Sequence, residues 1–307
     1  MRCILAIFFL VAFSAPHAAA QEAKKRADRG YPPQMDADRV EAYKTVGDVK
    51  LNLWIYTPEG HKATDRRPAI VFFFGGGWRS GTPRQFEPHC RYLASRGMVA
   101  MAADYRVATR HGVKAKECVA DAKSAVRWIR AHAEKLGVDP ERIAAGGGSA
   151  GGHLAASTAL VPGFEESAED TNVSAVPNAL VLFNPAVALA PIDGRSPLNP
   201  DRVTDLEARM GVAPETLSPY HHVKSGAPPA IIFHGRDDTT ISYRSVELFT
   251  EKMKQAGNRC TLAGYDGQGH GFFNFGRGDN DMYRRTVRAM DEFLAGLGYV
   301  EGPPTVE

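Results

Sequence analysis

In VKLNLWIYTP (residues 49–58), Leu51, Leu53 and Ile55 alternate with other positions at a two-residue period, which predicts a half-buried strand. PAIVFFFGG (68–76) and MVAMAADY (98–105) are instead unbroken apolar runs of strand length, the pattern of a parallel sheet covered on both faces. Between them EPHCRYLASRG has helical spacing and stops at Gly97, a residue suited to a C-cap. The clearest helix lies in AKECVADAKSAVRWIRAHAEKLG. There Val119, Ala122, Val126, Ile129 and Ala133 recur at intervals of three and four, and Gly137 closes the run. RIAAGG, NALVLFNPA, PAIIFHG and CTLAGY read as further strands; YRSVELFTEKMKQAG and DMYRRTVRAMDEFLAGLG read as helices. Strands alternating with helices predict an α/β fold, with a mostly parallel central sheet and helices on both faces in a three-layer sandwich. The proline-rich stretch 186–229 is the least regular, and a short cap or loop insertion over the sheet is expected there.

The N-terminus departs from this pattern. Arg2 precedes an apolar run from Ile4 to Phe13, and Ala18-Ala19-Ala20 forms a small-residue cleavage site. The run is shorter than the roughly 20 residues of a membrane span. Residues 1–20 are therefore expected to be a signal peptide, with a retained anchor as the alternative. The expected location is secreted or periplasmic, without stable membrane association after cleavage. Residues 21–40 are charged and contain Pro32-Pro33, so a flexible leader is expected before a domain spanning 41–300.

Composition removes several function classes. A formal net charge of +2 over 307 residues gives no electrostatic case for a nucleic-acid partner. A hydrophobic content of 44% excludes a disordered chain. Beyond the signal segment stand Cys90, Cys118 and Cys260, an odd number without metal-ligand spacing. One disulfide plus a thiol, or three buried thiols, are both compatible with that set.

The stretch RIAAGGGSAGGHLAAS carries two overlapping patterns. Gly146, Gly148 and Gly151 fit a dinucleotide turn; Gly147, Ser149 and Gly151 fit G-x-S-x-G, the sharp turn that raises a nucleophilic serine above a sheet. A dinucleotide turn belongs to the first strand–helix unit, whereas at least three strands precede Ser149. The serine reading needs a histidine to take its proton, a carboxylate to orient that histidine, and donors for the tetrahedral oxyanion. HGRDD supplies Asp237 and Asp238 just after a strand, and YDGQGHGF supplies His270 between glycines. FFFGGGWRSG supplies a glycine-rich loop after an earlier strand, and Ala150 follows the serine. These features agree on acyl transfer.

In this order the motifs GGSAGG, FFFGGGW, HGRDDTTI and GHGF resemble the α/β-hydrolase superfamily, over roughly residues 45–297. More narrowly they are similar to bacterial carboxylesterases and acetyl esterases, including hormone-sensitive-lipase-like and feruloyl-esterase-like members. The resemblance implies Ser149 as nucleophile, His270 as general base and Asp238 as the acid, with Asp237 the competitor. It also implies Gly76, Gly77 and Ala150 as the oxyanion hole, no metal and no organic cofactor. Where the lipase-like branch writes His-Gly-Gly-Gly, this chain has Phe74 in the first position. Trp78 is expected either to bind substrate or to pack. His221 and His222 are expected in a loop, and Asp104–Arg106 is expected to hold a structural ion pair. The function implied is an exported serine carboxylic-ester hydrolase acting on short, acetyl-type esters, with small-molecule or carbohydrate ester partners. The alternatives are a serine peptidase of the prolyl-oligopeptidase type, which carries a propeller this chain has no residues for, and a catalytically decayed carbohydrate-binding or scaffold protein.

Overall fold

The structure is a computed structural model describing residues 30–199, 201 and 205–306. The signal segment expected at 1–20 lies outside the described residues. Among those described, no helix is long and apolar enough to cross a membrane.

Eight strands form one sheet: β1 (Arg39–Val46), β2 (Val49–Tyr56), β3 (Arg67–Phe73), β4 (Val99–Ala103), β5 (Val138–Gly148), β6 (Ala179–Phe183), β7 (Ala230–Gly235) and β8 (Cys260–Tyr265). Their order is β1-β2-β4-β3-β5-β6-β7-β8. The first two pairings are antiparallel and all the others parallel. Five longer helices flank the sheet: α1 (Glu87–Ser95), α2 (Ala115–Ala131), α3 (Ala150–Leu160), α4 (Tyr243–Gln255) and α5 (Asp281–Ala295).

The unbroken apolar strands have the physical cause their sequence suggested. Along β3, Ala69, Val71 and Phe73 enter the core under α2, α3 and α4, while Ile70 and Phe72 enter a second core under α1 and α5. Because strand side chains alternate, a sheet with helices on both faces must be apolar at every position. The three-layer sandwich follows from that requirement. The same alternation corrects the half-buried reading of β2: Leu51, Leu53 and Ile55 face one core, and Trp54 and Tyr56 are buried in the other.

Two boundaries differ from expectation. The helix expected to run to Gly137 breaks at His132, and a separate turn, Ala133–Leu136, ends at Gly137 in the left-handed conformation. The leader is not loose over its described part. Asp38 accepts from the Thr57 amide at 2.7 Å, Asp36 pairs with Arg91 at 2.9 Å, and Tyr31 donates to Asp104. Met35 and Ala37 pack against the core beneath α1, and β1 already begins at Arg39. Cys90, Cys118 and Cys260 are three buried free thiols.

Candidate active site

Parallel strands all end on the same edge of the sheet, so the loops after β3, β5, β7 and β8 converge there. At the end of β5 the chain reverses sharply into α3, and Ser149 occupies the turn at φ 55, ψ −119. This conformation is costly for a residue with a side chain. It is held by three bonds: Ser149 N–H donates to Phe183 O at 2.9 Å, and its carbonyl accepts from His153 and Ala186 at 3.0 and 3.3 Å. The flanking glycines are there for space. A Cβ on Gly151 would sit 2.0 Å from Phe73 O, and one on Gly147 would sit 2.5 Å from the same oxygen.

The loop after β8 brings His270 Nε2 to 3.0 Å from Ser149 Oγ, and His270 Nδ1 to 2.8 Å from Asp238 Oδ2. Since a carboxylate only accepts, the proton sits on Nδ1 and Nε2 is left to accept from the serine hydroxyl. Asp238 follows β7. Its Oδ1 accepts from the amides of Thr240 and Ile241 at 2.8 and 3.0 Å, and its Oδ2 also accepts from Asn184 Nδ2 at 2.8 Å. Burial pushes this carboxyl up, but the bond and electrostatic attraction from His270 and the amides of Ile241 and Thr240 outweigh it and hold the group below its ordinary value. Asp237 is exposed and makes no such contact. Geometry therefore brings Asp238, and not its neighbour, to the histidine. Beneath the pair, burial holds His234 neutral, pushed down to about 4 despite the nearby Asp238 charge. Its Nε2–H donates to Ile241 O at 3.0 Å, supporting the loop that carries Thr240 and Ile241.

Gly75, Gly76 and Gly77 follow β3 and face Ser149 across a cavity of about 1170 Å³. The Gly75 amide is taken up by Gln85 Oε1 at 2.6 Å. The amides of Gly76 and Gly77 donate to no group among the described residues. That of Ala150 stands at the first position of α3, where no intrahelical acceptor exists. Gly76 has φ 127, and a Cβ there would lie 2.1 Å from Ser80 O, so the loop admits only glycine. Phe74, in the position where histidine was the reference, stacks on Tyr105 with ring centroids 4.0 Å apart, and the Tyr105 hydroxyl donates to Phe74 O at 2.7 Å. An aromatic pair braces the loop in place of an imidazole.

Trp78 touches the cavity but is only 3% exposed, and its indole N–H donates to His153 Nδ1 at 3.1 Å. His153 in turn donates from Nε2 to Leu217 O at 2.8 Å, and burial pushes it down to about 4. Of the two expectations for Trp78, packing is the one the geometry favours: it fastens the glycine loop to α3 and to the 186–229 segment. That segment contributes Ala186, Leu198 and Arg209 to the cavity wall. His221 and His222 bond to Ser218 and Thr216 and do not line the cavity. Arg106 forms a structural ion pair, but with Asp121 at 2.7 Å; Asp104 instead accepts from Tyr31 and the Tyr105 amide.

Three positioning residues were not anticipated. Asn184 joins the acid to the histidine loop, accepting from the Gly271 amide at 3.3 Å while donating to Asp238. Gln85 and Tyr105 hold the glycine loop. The available signal for Asn184 was a polar residue ending the buried strand NALVLF at the ligand edge of the sheet.

The BD-FAE family model matches residues 53–253. The probable carboxylic ester hydrolase LipM of Mycobacterium tuberculosis is 30% identical over 207 residues, covering 62% of this chain and 46% of that protein. The chain thus spans about half the length of this protein and of the esterase LipC of the same organism, which it also matches. Among solved structures, Thermogutta terrifontis esterase 2 phosphonylated by sarin is 53% identical with a TM-score of 0.86, covering 89% of this chain and 99% of that one. The propionate-bound esterase of the same organism is 54% identical with a TM-score of 0.83, covering 89% and 98%. The fold is that of the α/β-hydrolases. With the matched segment running from β2 into α4 and carrying both Ser149 and Asp238, the chain belongs to the BD-FAE family.

Proposed function

We propose that the protein is a serine carboxylic-ester hydrolase that works through an acyl-enzyme and acts on short-chain, acetyl-type esters, including those of carbohydrates. The observation that carries this reading is the continuous relay Ser149–His270–Asp238, set beside the amides of Gly76 and Gly77, which donate to no group among the described residues. His270 Nε2 takes the Ser149 proton as Oγ bonds to the ester carbonyl carbon. The carbonyl oxygen becomes an oxyanion that the amides of Gly76, Gly77 and Ala150 receive. Collapse breaks the carbon–alkoxide bond, and the proton on Nε2 passes to the departing alcohol. Water then repeats the cycle: His270 takes its proton, hydroxide adds to the acyl carbon, and Ser149 leaves with that proton. Throughout, Asp238 keeps the Nδ1–H tautomer and offsets the imidazolium charge.

The relatives lend support in their own terms. One was solved phosphonylated by sarin, and others with propionate or butyrate bound, which favours an attackable nucleophile and short acids. Export to the periplasm or medium is proposed from residues 1–20 alone. Hydrolysis of p-nitrophenyl esters from acetate to octanoate, with Ser149→Ala as control, tests the reading. Acetate and butyrate should turn over fastest and the variant should fall to background. Equal rates in parent and variant would reject the assignment.

A further inference from the structure

The charged groups around the cavity are lopsided. Arg84, Arg91, Arg209 and Arg277 line it, against Glu87 as the one acidic side chain among the described lining residues. Glu87 pairs with Arg91 at 2.9 Å, so those two charges largely offset each other. Arg84 and Arg277 have no carboxylate partner among the described residues: Arg84 donates to the carbonyl of Gln34, and Arg277 Nη1 donates to the carbonyl of His270 at 3.1 Å.

These two guanidinium groups share one rim. Gln85, next to Arg84, donates from Nε2 to Asn274 Oδ1 at 2.8 Å, and Asn274 Nδ2 donates to Gly271 O at 2.8 Å. The segment carrying Arg84 is therefore locked to the segment carrying His270 and Arg277. Arg277 is anchored on the backbone carbonyl of His270, the residue that gives the departing alcohol its proton. Phe275, 56% exposed and edge-on to Tyr283 at 5.2 Å, adds an aromatic surface to the same cavity lining. A guanidinium held at its backbone-bonded end keeps its remaining N–H groups for a planar anion, and carboxylate is the partner whose geometry matches that fork.

We propose that the alcohol part of the physiological ester carries a carboxylate, which Arg277 and Arg84 bind while the neutral acyl group occupies the Ser149 side. This rests on the esterase reading above and specifies its substrate class: acyl esters of hydroxy acids or of acidic sugars.

The test uses matched acetates that differ in charge and keep the same ring: para- and meta-acetoxybenzoate against their methyl esters, each rate divided by its own alkaline hydrolysis rate. The full chain is assayed with p-nitrophenyl acetate alongside. Partly exposed charge pairs are each worth a few-fold, so kcat/KM should favour the carboxylates by about tenfold at low salt, mainly through KM. The preference should shrink as salt shortens the screening length to a few ångströms. Arg277→Gln with Arg84→Gln should bring the charged-to-neutral ratio close to one, and Arg277→Lys should retain part of it. Equal turnover of charged and neutral acetates, or a preference that survives both glutamine substitutions, would overturn the inference while leaving the esterase assignment intact. No turnover of any acetate, p-nitrophenyl acetate included, would remove the esterase reading itself.

Discussion

Replacing Asp238 by asparagine changes little in volume and one thing in chemistry. Oδ1 of Asp238 faces two amides, from Thr240 and Ile241, so the asparagine oxygen is expected to stay there and its NH₂ to take the place of Oδ2. That NH₂ then meets two donors, His270 Nδ1–H and Asn184 Nδ2. The imidazole relieves the conflict by moving its proton to Nε2, and Nε2–H can no longer accept from Ser149. Loss of the correct tautomer in a Ser-His-Asp site costs about four decades of kcat, or about 5.4 kcal/mol at 1.36 kcal/mol per decade. Steady-state hydrolysis of p-nitrophenyl acetate should therefore fall by roughly 10³–10⁴ in Asp238→Asn. Asp237→Asn, at an exposed position, should stay within about twofold, as surface changes away from such contacts usually do. Asp238→Asn activity within tenfold of the parent, or an equal loss in Asp237→Asn, would refute the tautomer argument. Stability supplies a second readout. The Asp238 carboxyl is held below its usual range, so its contribution is fully present above the unfolded value of about 3.9 and is lost as pH falls through the folded value. The asparagine variant should lack that acid limb.

Two further changes probe the framework. Gly151→Ala would place a Cβ 2.0 Å from Phe73 O and should cost more than about 3 kcal/mol, read as a large drop in Tm or loss of soluble protein; a Tm within a few degrees of the parent would contradict the packing account. His89 is buried among Phe72, Phe86, Phe183, Phe273 and Tyr283 with neither ring nitrogen bonded among the described residues, and burial pushes it down to about 3. Its folded value lies below the unfolded one, so stability is full above about pH 6.5 and is lost as pH falls towards the folded value, by about 2 kcal/mol at pH 5. Denaturant titrations at pH 7 and 5 should show His89→Leu losing less on acidification than the parent, and equal losses would count against a neutral buried histidine.

The parts of the protein legible in its sequence are those written in local chemistry. Apolar runs gave β3, β4, β6 and β7, because burial on both faces leaves no room for polar residues. The glycines around Ser149 marked the elbow, because a Cβ on Gly147 or Gly151 would sit 2.0–2.5 Å from Phe73 O, whereas Gly271 beside His270 is required by its φ of 76. β1 escaped notice because it is an edge strand with one partner and a mostly half-buried pattern, in which Tyr43 alone is buried. Trp78 looked available beside three glycines, but its N–H is satisfied by His153, 75 positions away. Asn184, Gln85 and Tyr105 share that property. Each acts on a group distant in sequence, and no local spacing encodes such a contact. The Asp237–Asp238 ambiguity had the same origin, since only the tertiary position of His270 separates two adjacent carboxylates.

Ser149 is read as a nucleophile activated by His270 and Asp238. Labelling the folded protein with a fluorophosphonate, followed by intact mass and peptide mapping, tests it most directly. One adduct per chain is expected on Ser149, absent in Ser149→Ala and formed far more slowly in Asp238→Asn. A chain that stays unlabelled, or an adduct at another residue that persists in Ser149→Ala, would contradict it.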